Sequence, residues 1–480
     1  KILEIHLPGG ASQWETLWVS HDGAATSTDG WLSTGPAADA KNWRGLQDFV
    51  AALDWQCAGG PAFPLETREF GEDAAGTGVS WGPATCPLWR NDIFSRARMI
   101  VTAHDDQLHF AGNFRTVTGR RFGNPRGAGM GSAVQRHFQS IEQQQQIPRA
   151  FVLGPAHNIR PYFHIAPTTI GQHPATARPL GLKVGVPAGT ALARPGIVNS
   201  ADALFTRLTG QYQDLLRWQG GAPLRAADVD AFASAGHYLT HATALDGLLG
   251  GDKLDAAPST PCAQAPEHDL GLNDNPTARS LSLAAELFEA GARHVTVIDG
   301  GYNAGILRNS DTPYDAHNNA DRCNVVEMTS AHMHNMMSAL ADLIGNGGGG
   351  PSIDLDDTLI YISTEFNRTP TPSTGEEDGF AYAGREHFPS ATIALLIGGP
   401  VSTRGIEGAI ELSGDNLLSA VASNPLTPTD VHAGVLLAAG IDPIHPENFT
   451  AGDEFSAVIN PNGSPDTIRN RLRQRVLGIA

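Results

Sequence analysis

The chain is predicted to be an α/β protein built on a three-layer, mostly parallel sheet, and three observations predict it. Runs of β-branched and aliphatic residues of strand length recur at 1–7, 98–103, 150–154, 293–298, 357–363 and 391–397. Stretches with helical spacing of apolar residues lie between many of them, an alternation that builds parallel sheets covered by helices. The strands hand over to polar, ionisable loops, and in open α/β sheets ligands sit in the crevice beyond the strand carboxyl ends.

In chain order, the first strand pattern (Ile2, Leu3, Ile5, Leu7) breaks at Pro8-Gly9-Gly10, a tight turn that delivers Ala11 to Glu15 at the strand's end. Residues 21–95 are rich in Gly, Ala, Pro and Trp with little periodicity, the pattern of loops and short helices laid over a core. Strand 98–103 runs into His104 and His109, two histidines five apart. Strand 150–154 follows Ile147-Pro148, and residues 155–195 form a second loop-rich insertion. Helical spacing marks 200–218 and 226–249. Asn275-Pro276-Thr277 opens a helix through Ala290 that feeds strand 293–298. A helix over 329–343 and a glycine run precede the central strand 357–363, and Thr427-Pro428-Thr429-Asp430 caps a helix over 431–439. A single domain over 1–480 carrying the two insertions is the expected organisation.

The net charge of -18 argues against nucleic acid or an anionic membrane as a main partner, because phosphates are repelled over most of such a surface. A small anionic ester held by a local arginine cluster, or a protein partner, remains compatible with it, as does homo-oligomeric assembly. No run approaches the roughly 20 apolar residues of a membrane span. Lys1 enters a strand pattern at once, which points to a mature chain whose export signal has been removed, in the periplasm or outside the cell. The four cysteines, Cys57, Cys86, Cys262 and Cys323, show no Cys-x-x-Cys spacing. Two disulfides, Cys57–Cys86 across the first insertion and Cys262–Cys323, or four reduced thiols, are both open readings.

The ionisable residues at strand ends carry the chemistry. Glu15 follows the first strand, Thr102, His104 and His109 the second, and Glu365 and Arg368 the central one. The loop after Ile298 leads to Asp315 and His317, and Arg385, Glu386 and His387 precede the last strand. Carboxylates and imidazoles gathered from distant segments are how α/β metallohydrolases assemble divalent sites. A set of salt-bridged loops would look the same in sequence.

Several segments together resemble a known family. Leu7-Pro-Gly-Gly-Ala-Ser-Gln-Trp-Glu-Thr16, His104-x4-His109 with Val117-Thr-Gly-Arg120, Ile147-Pro-Arg-Ala150, Tyr314-Asp-Ala-His317, Ser363-Thr-Glu-Phe-Asn-Arg-Thr-Pro370 and Gly384-Arg-Glu-His-Phe-Pro389 look like the bacterial domain-of-unknown-function family 1501, in matching order. That resemblance implies an alkaline phosphatase/sulfatase-like fold, twin-arginine export and a divalent metal such as Zn, Ca, Mg or Mn. It places Asp315, His317 and His387 at one metal site, with Glu365 and Glu15 serving another. The chain departs from the family pattern. Glu15 and Glu386 stand for Asp, Asn367 stands for Gly, and an insertion separates Gly300-Gly301-Tyr302-Asn303 from Asp315.

The function expected from this is an exported, metal-dependent hydrolase acting on a phosphate or sulfate ester. Arg368 or Arg385 would hold the anion bidentately, His104 or His109 would move a proton, and Thr102 is the candidate nucleophile. The alternative is a non-catalytic secreted scaffold for binding or assembly with a degenerate metal site. The acid swaps and an exposed tryptophan-rich first third (Trp14, Trp18, Trp31, Trp43, Trp55, Trp81, Trp89) would fit it.

Overall fold

The computed structural model describes residues 1–14, 16–20, 67–124, 127–141, 147–155, 179–184, 207–208, 210–211, 247–249, 276–299, 314–315, 325–345, 350–370, 373–377, 380–384, 386–413, 419–445, 448–450, 453–460 and 462–479. Eight strands form the main sheet: β1 (Ile2–Leu7), β2 (Ala97–Thr102), β3 (Ala150–Pro155), β4 (Leu180–Val184), β5 (His294–Ile298), β6 (Leu359–Thr364), β7 (Thr392–Gly398) and β8 (Gly405–Glu407). Their spatial order is β8-β2-β7-β6-β1-β5-β3-β4. All pairings are parallel except those of β7 with β6 and with β2, so β7 alone runs backwards. The reason is local: the chain leaves β6 at its carboxyl end, makes its excursion there, and re-enters the sheet from the same end.

β1 sits at the centre, between β5 and β6. A parallel strand covered on both faces is expected to be largely apolar; the side chains of β1 alternate between two faces, and Glu4 and His6, buried on the Ile2 face, are its polar exceptions. Leu3, Ile5 and Leu7 belong to one cluster with Leu283, Leu287, Met333 and Leu340, from helices α3 (Pro276–Glu289) and α4 (Val325–Leu343). Ile2 belongs to the other, with Val134, Val431, Val435 and Leu472 from α2 (Met130–Ile141), α5 (Pro428–Ala438) and α6 (Pro465–Arg475). α1 (His109–Thr118) packs beside α5 and against β6. Helices therefore cover both faces of a mostly parallel, mixed sheet. Among the described residues no helix is long and apolar enough to cross a membrane.

The structure adjusts several expected elements. α4 begins at Val325, four residues before the expected start at Thr329. The stretch read as loop over 155–195 supplies the edge strand β4, whose Gly181 and Lys183 interrupt the apolar run and whose residues alternate between partial burial and exposure. The first insertion also holds structure. Val19–Ser20, Gly78–Trp81 and Arg68–Glu72 form a small antiparallel sheet, followed by a 3-10 segment at Pro83–Trp89. Three of the tryptophans read as exposed lie inside instead. Trp14, Trp18 and Trp81 are buried, and Trp81 lies 5.1 Å from both Phe70 and Phe94. Trp31, Trp43 and Trp55 lie outside the described residues, as does most of the helical spacing expected over 200–249. Cys86 carries a free thiol where a bridge to Cys57 was expected, and burial pushes that thiol up to about 12. Cys57, Cys262 and Cys323 are outside the described residues.

Candidate metal centre

The site lies at the carboxyl ends of β1 and β6, which are neighbours in register. Past their ends the two chains stay fastened. Thr364 donates its one hydroxyl proton to the Leu7 carbonyl (2.8 Å) and accepts from the Ala11 amide (2.9 Å). Asn367 Oδ1 accepts from the Gln13 amide (2.9 Å), and the Trp14 indole donates to the Arg368 carbonyl (2.6 Å). Gly10 makes this close approach possible. Its φ is +78°, and a Cβ there would lie 2.4 Å from a ring carbon of Phe366.

Glu365, fully buried, is aimed inward by this turn. Its Oε1 accepts from the Gly9 amide (2.8 Å) and from His109 Nδ1 (2.9 Å). His109 is the first residue of α1, and its Nε2 lies 3.3 Å from Asp315 Oδ2. His387 arrives on a two-residue antiparallel pairing that sets it opposite Arg368. Its ring is 4.5 Å from that of His109, and the Phe366 ring lies tilted against it at 4.2 Å. The ligand atoms of His109, Asp315 and His387 all lie within 4.8 Å of one another.

The chemistry of these donors suits a cation. Carbonyl and carboxylate oxygens can only accept here, so the Nδ1 atoms of His109 and His387 must be the protonated ones. The first donates to Glu365 and the second to the Gln107 carbonyl (2.6 Å). Nε2 is then the nitrogen each ring turns toward the cluster, the one that would ligate once it gave up any proton, and a carboxylate behind a ligating histidine is the usual support of a metal site. Two imidazole nitrogens and one carboxylate oxygen leave coordination positions open, as catalytic divalent sites require. Burial opposes a charge on His109, but the hydrogen bonds to Asp315 and Glu365 outweigh it and push the imidazole up to about 9. Burial alone would raise Glu365, yet the His109 hydrogen bond and charge hold it below the ordinary carboxylate range. A cation at His109 Nε2 would compete with that proton for one lone pair.

The residues named from sequence divide into three groups. His109, Asp315, Glu365 and His387 come together, with His109 as a candidate ligand, not a free proton carrier, and Glu365 behind it, not beside the cation position. Thr102, His104 and Arg368 are engaged with protein partners. The Thr102 hydroxyl donates to the Thr392 carbonyl (3.3 Å) within the sheet. His104 spends Nε2 on the Glu365 carbonyl (2.6 Å) and Nδ1 on the Asp106 amide (3.2 Å), and burial pulls its pKa down to about 4. Arg368 is fully buried and bonded to protein acceptors, so it does not serve as an anion clamp reaching into solvent. Glu15, His317 and Arg385 lie outside the described residues.

Sequence reading places Asp299 and Tyr314 in the strand-end loop after Ile298 but gives them no supporting role. Asp299, at the end of β5, is buried and accepts from Thr277 (2.5 Å) and from the Tyr314 hydroxyl (2.6 Å). Tyr314 also donates its amide to the Pro8 carbonyl (3.2 Å), which brings Asp315 to the turn after β1. The signal available was Asp299 itself, an acid directly after an apolar strand. The roles of the Gly9 amide and the Gln107 carbonyl are backbone roles and leave no trace in residue type.

Fold and cluster together define an α/β protein with a histidine–carboxylate group at its strand ends. A profile of the family described as protein of unknown function (DUF1501) matches residues 232–460, which supports placing the chain in that family. No curated protein and no solved structure matches the chain.

Proposed function

We propose that this chain is an exported, metal-dependent hydrolase of the alkaline phosphatase/sulfatase type, acting on a phosphate or sulfate ester. The observation that carries the proposal is the convergence of His109, Asp315 and His387 within 4.8 Å, with Nδ1 of both imidazoles engaged behind the cluster so that Nε2 is the nitrogen turned to it. Two nitrogen ligands favour zinc over calcium, magnesium or manganese, which prefer oxygen-rich shells. Bound there, such a cation supplies Lewis acidity toward an ester oxygen and lowers the pKa of water. The protein's own share is orientation. Glu365 holds the His109 ring, the Gln107 carbonyl holds His387, and Phe366 walls one side against water.

Metal analysis of protein purified without chelator tests this, with about one or more divalent ions per chain expected and none in an Asp315→Ala/His387→Ala variant. Chromogenic phosphomonoesters, phosphodiesters and sulfate esters then test turnover. Metal-free wild-type protein refutes the proposal. A second reading has its own support: among the described residues Thr102 and Arg368, the expected nucleophile and anion clamp, are engaged with protein carbonyls. That favours a secreted binding or assembly protein that keeps the cation site, and loaded protein inert toward every ester would select it.

A further inference from the structure

The two oxygens of Asp315 are not equivalent, and the reason is Arg368. Arg368 Nη2 donates to Asp315 Oδ1 (2.9 Å), while Asp315 Oδ2 faces His109 Nε2 (3.3 Å). The guanidinium has little freedom to turn. Its Nε donates to the Gly10 carbonyl (2.8 Å), its Nη2 also reaches the Gly9 carbonyl, and the side chain is fully buried. Both glycines belong to the turn that sends the Gly9 amide to Glu365. One planar fork thus ties the acid on one side of the cluster to the turn that supports the histidine on the other, a geometry that an ammonium cannot reproduce.

Resting on the metal-centre reading, we propose that Arg368 is a positioning residue that makes Asp315 a one-oxygen ligand: Oδ1 belongs to the arginine and only Oδ2 to the cation. The consequence is specific. Arginine donates and never accepts, so an asparagine at 315 must turn its oxygen to Arg368. Its amide nitrogen, which has no lone pair to offer, then faces the cation position and donates to His109 Nε2. Asp315→Asn therefore removes a ligand and blocks a second one, although it changes almost no volume. With Arg368→Gln in the same chain, the glutamine oxygen can accept from the asparagine amide, the group turns over, and an oxygen faces the site again.

The test uses Co2+ as probe, with its visible absorption spectrum and a competing chelator to read affinity, in wild type, Asp315→Ala, Asp315→Asn and Asp315→Asn/Arg368→Gln. The assignment expects Asp315→Asn to bind no tighter than Asp315→Ala, and the double variant to recover about tenfold or more over Asp315→Asn, the scale of a supporting-shell effect on affinity. It also expects the recovered site to regain the wild-type spectral envelope, which general stabilisation would not produce. Asp315→Asn binding about tenfold or more tighter than Asp315→Ala overturns it, and that comparison holds even where the double variant does not fold. A folded double variant no better than Asp315→Asn overturns it as well. Wild-type protein that takes up no Co2+ removes the metal-centre reading itself, and this assignment with it.

Discussion

Replacing Glu365 with glutamine isolates the charge behind His109 from everything else that side chain does. The carboxylate is fully buried, and its Oε1 takes both strong hydrogen bonds, from the Gly9 amide and His109 Nδ1 at 2.8 and 2.9 Å. A glutamine oxygen in that place keeps both. Its amide group then replaces Oε2, 4.0 Å from the buried His6 Nε2 and 3.4 Å from a Thr364 hydroxyl whose proton already goes to Leu7. Shape and both hydrogen bonds survive, so what the substitution removes is the charge, and with it part of what raises His109 in the metal-free protein. The negative charge that makes the imidazole a strong ligand is lost, and removing such support costs about 10- to 100-fold in metal affinity, or about 1.4–2.8 kcal/mol. Glu365→Ala adds a different penalty, because two buried N–H groups lose their acceptor at about 1–3 kcal/mol each. Chelator-competition titrations read the first effect and urea melts the second. Glu365→Gln protein with wild-type metal affinity would refute the placing of Glu365 behind a ligand.

Other perturbations follow the same geometry. Gly10→Ala must adopt a left-handed φ of +78° against the Phe366 ring; it should cost about 1–3 kcal/mol, measured as a lower urea midpoint, together with weaker metal uptake. Thr427 caps α5, accepting from the Asp430 amide in a reciprocal box, and Thr427→Ala should cost about 1 kcal/mol in the same melts. His432 is buried with its Nε2 on the Thr116 carbonyl, and burial pulls it down to about 4. Its folded pKa lies below the unfolded value of about 6.5, so the folded state binds fewer protons. That contribution is complete above pH 6.5 and is lost as pH falls toward 4, amounting to about 2 kcal/mol between pH 7 and 5. His432→Gln should flatten the pH dependence of stability by that amount, and an unchanged slope would count against a neutral buried imidazole. Asp430, raised to about 6 by burial, acts in the opposite sense over its own window of about 4 to 6.

Much of the scaffold was readable because its causes are local. A strand covered on both faces is rich in aliphatic and β-branched residues, which is why the stretches around Ile2–Leu7, His294–Ile298, Leu359–Thr364 and Thr392–Gly398 declared themselves, although Glu4, His6 and His294 are buried polar residues within them. Thr427-Pro428-Thr429-Asp430 likewise announces a capped helix start. Edge strand β4 did not, since its exposed Gly181 and Lys183 break a five-residue apolar run.

Residue type also marked His109, Asp315, Glu365 and His387 as carriers of chemistry, because acids and imidazoles at strand ends are costly to keep without a task. Their division of labour could not be read that way. Whether an arginine holds a substrate or a neighbouring acid depends on where its buried donors find acceptors, and those acceptors, the Gly9 and Gly10 carbonyls and Asp315, come from segments over fifty or over three hundred residues away. Which nitrogen of a histidine faces the cluster depends on the group behind it, a carboxylate for His109 and the Gln107 carbonyl for His387. The amino-acid order set strands, caps and the cast of ionisable groups, since these follow from each residue's own preference for water and backbone angle. Tertiary packing alone chose partners and orientations, since hydrogen bonds act over about 3 Å and only the folded chain brings such distant groups that close.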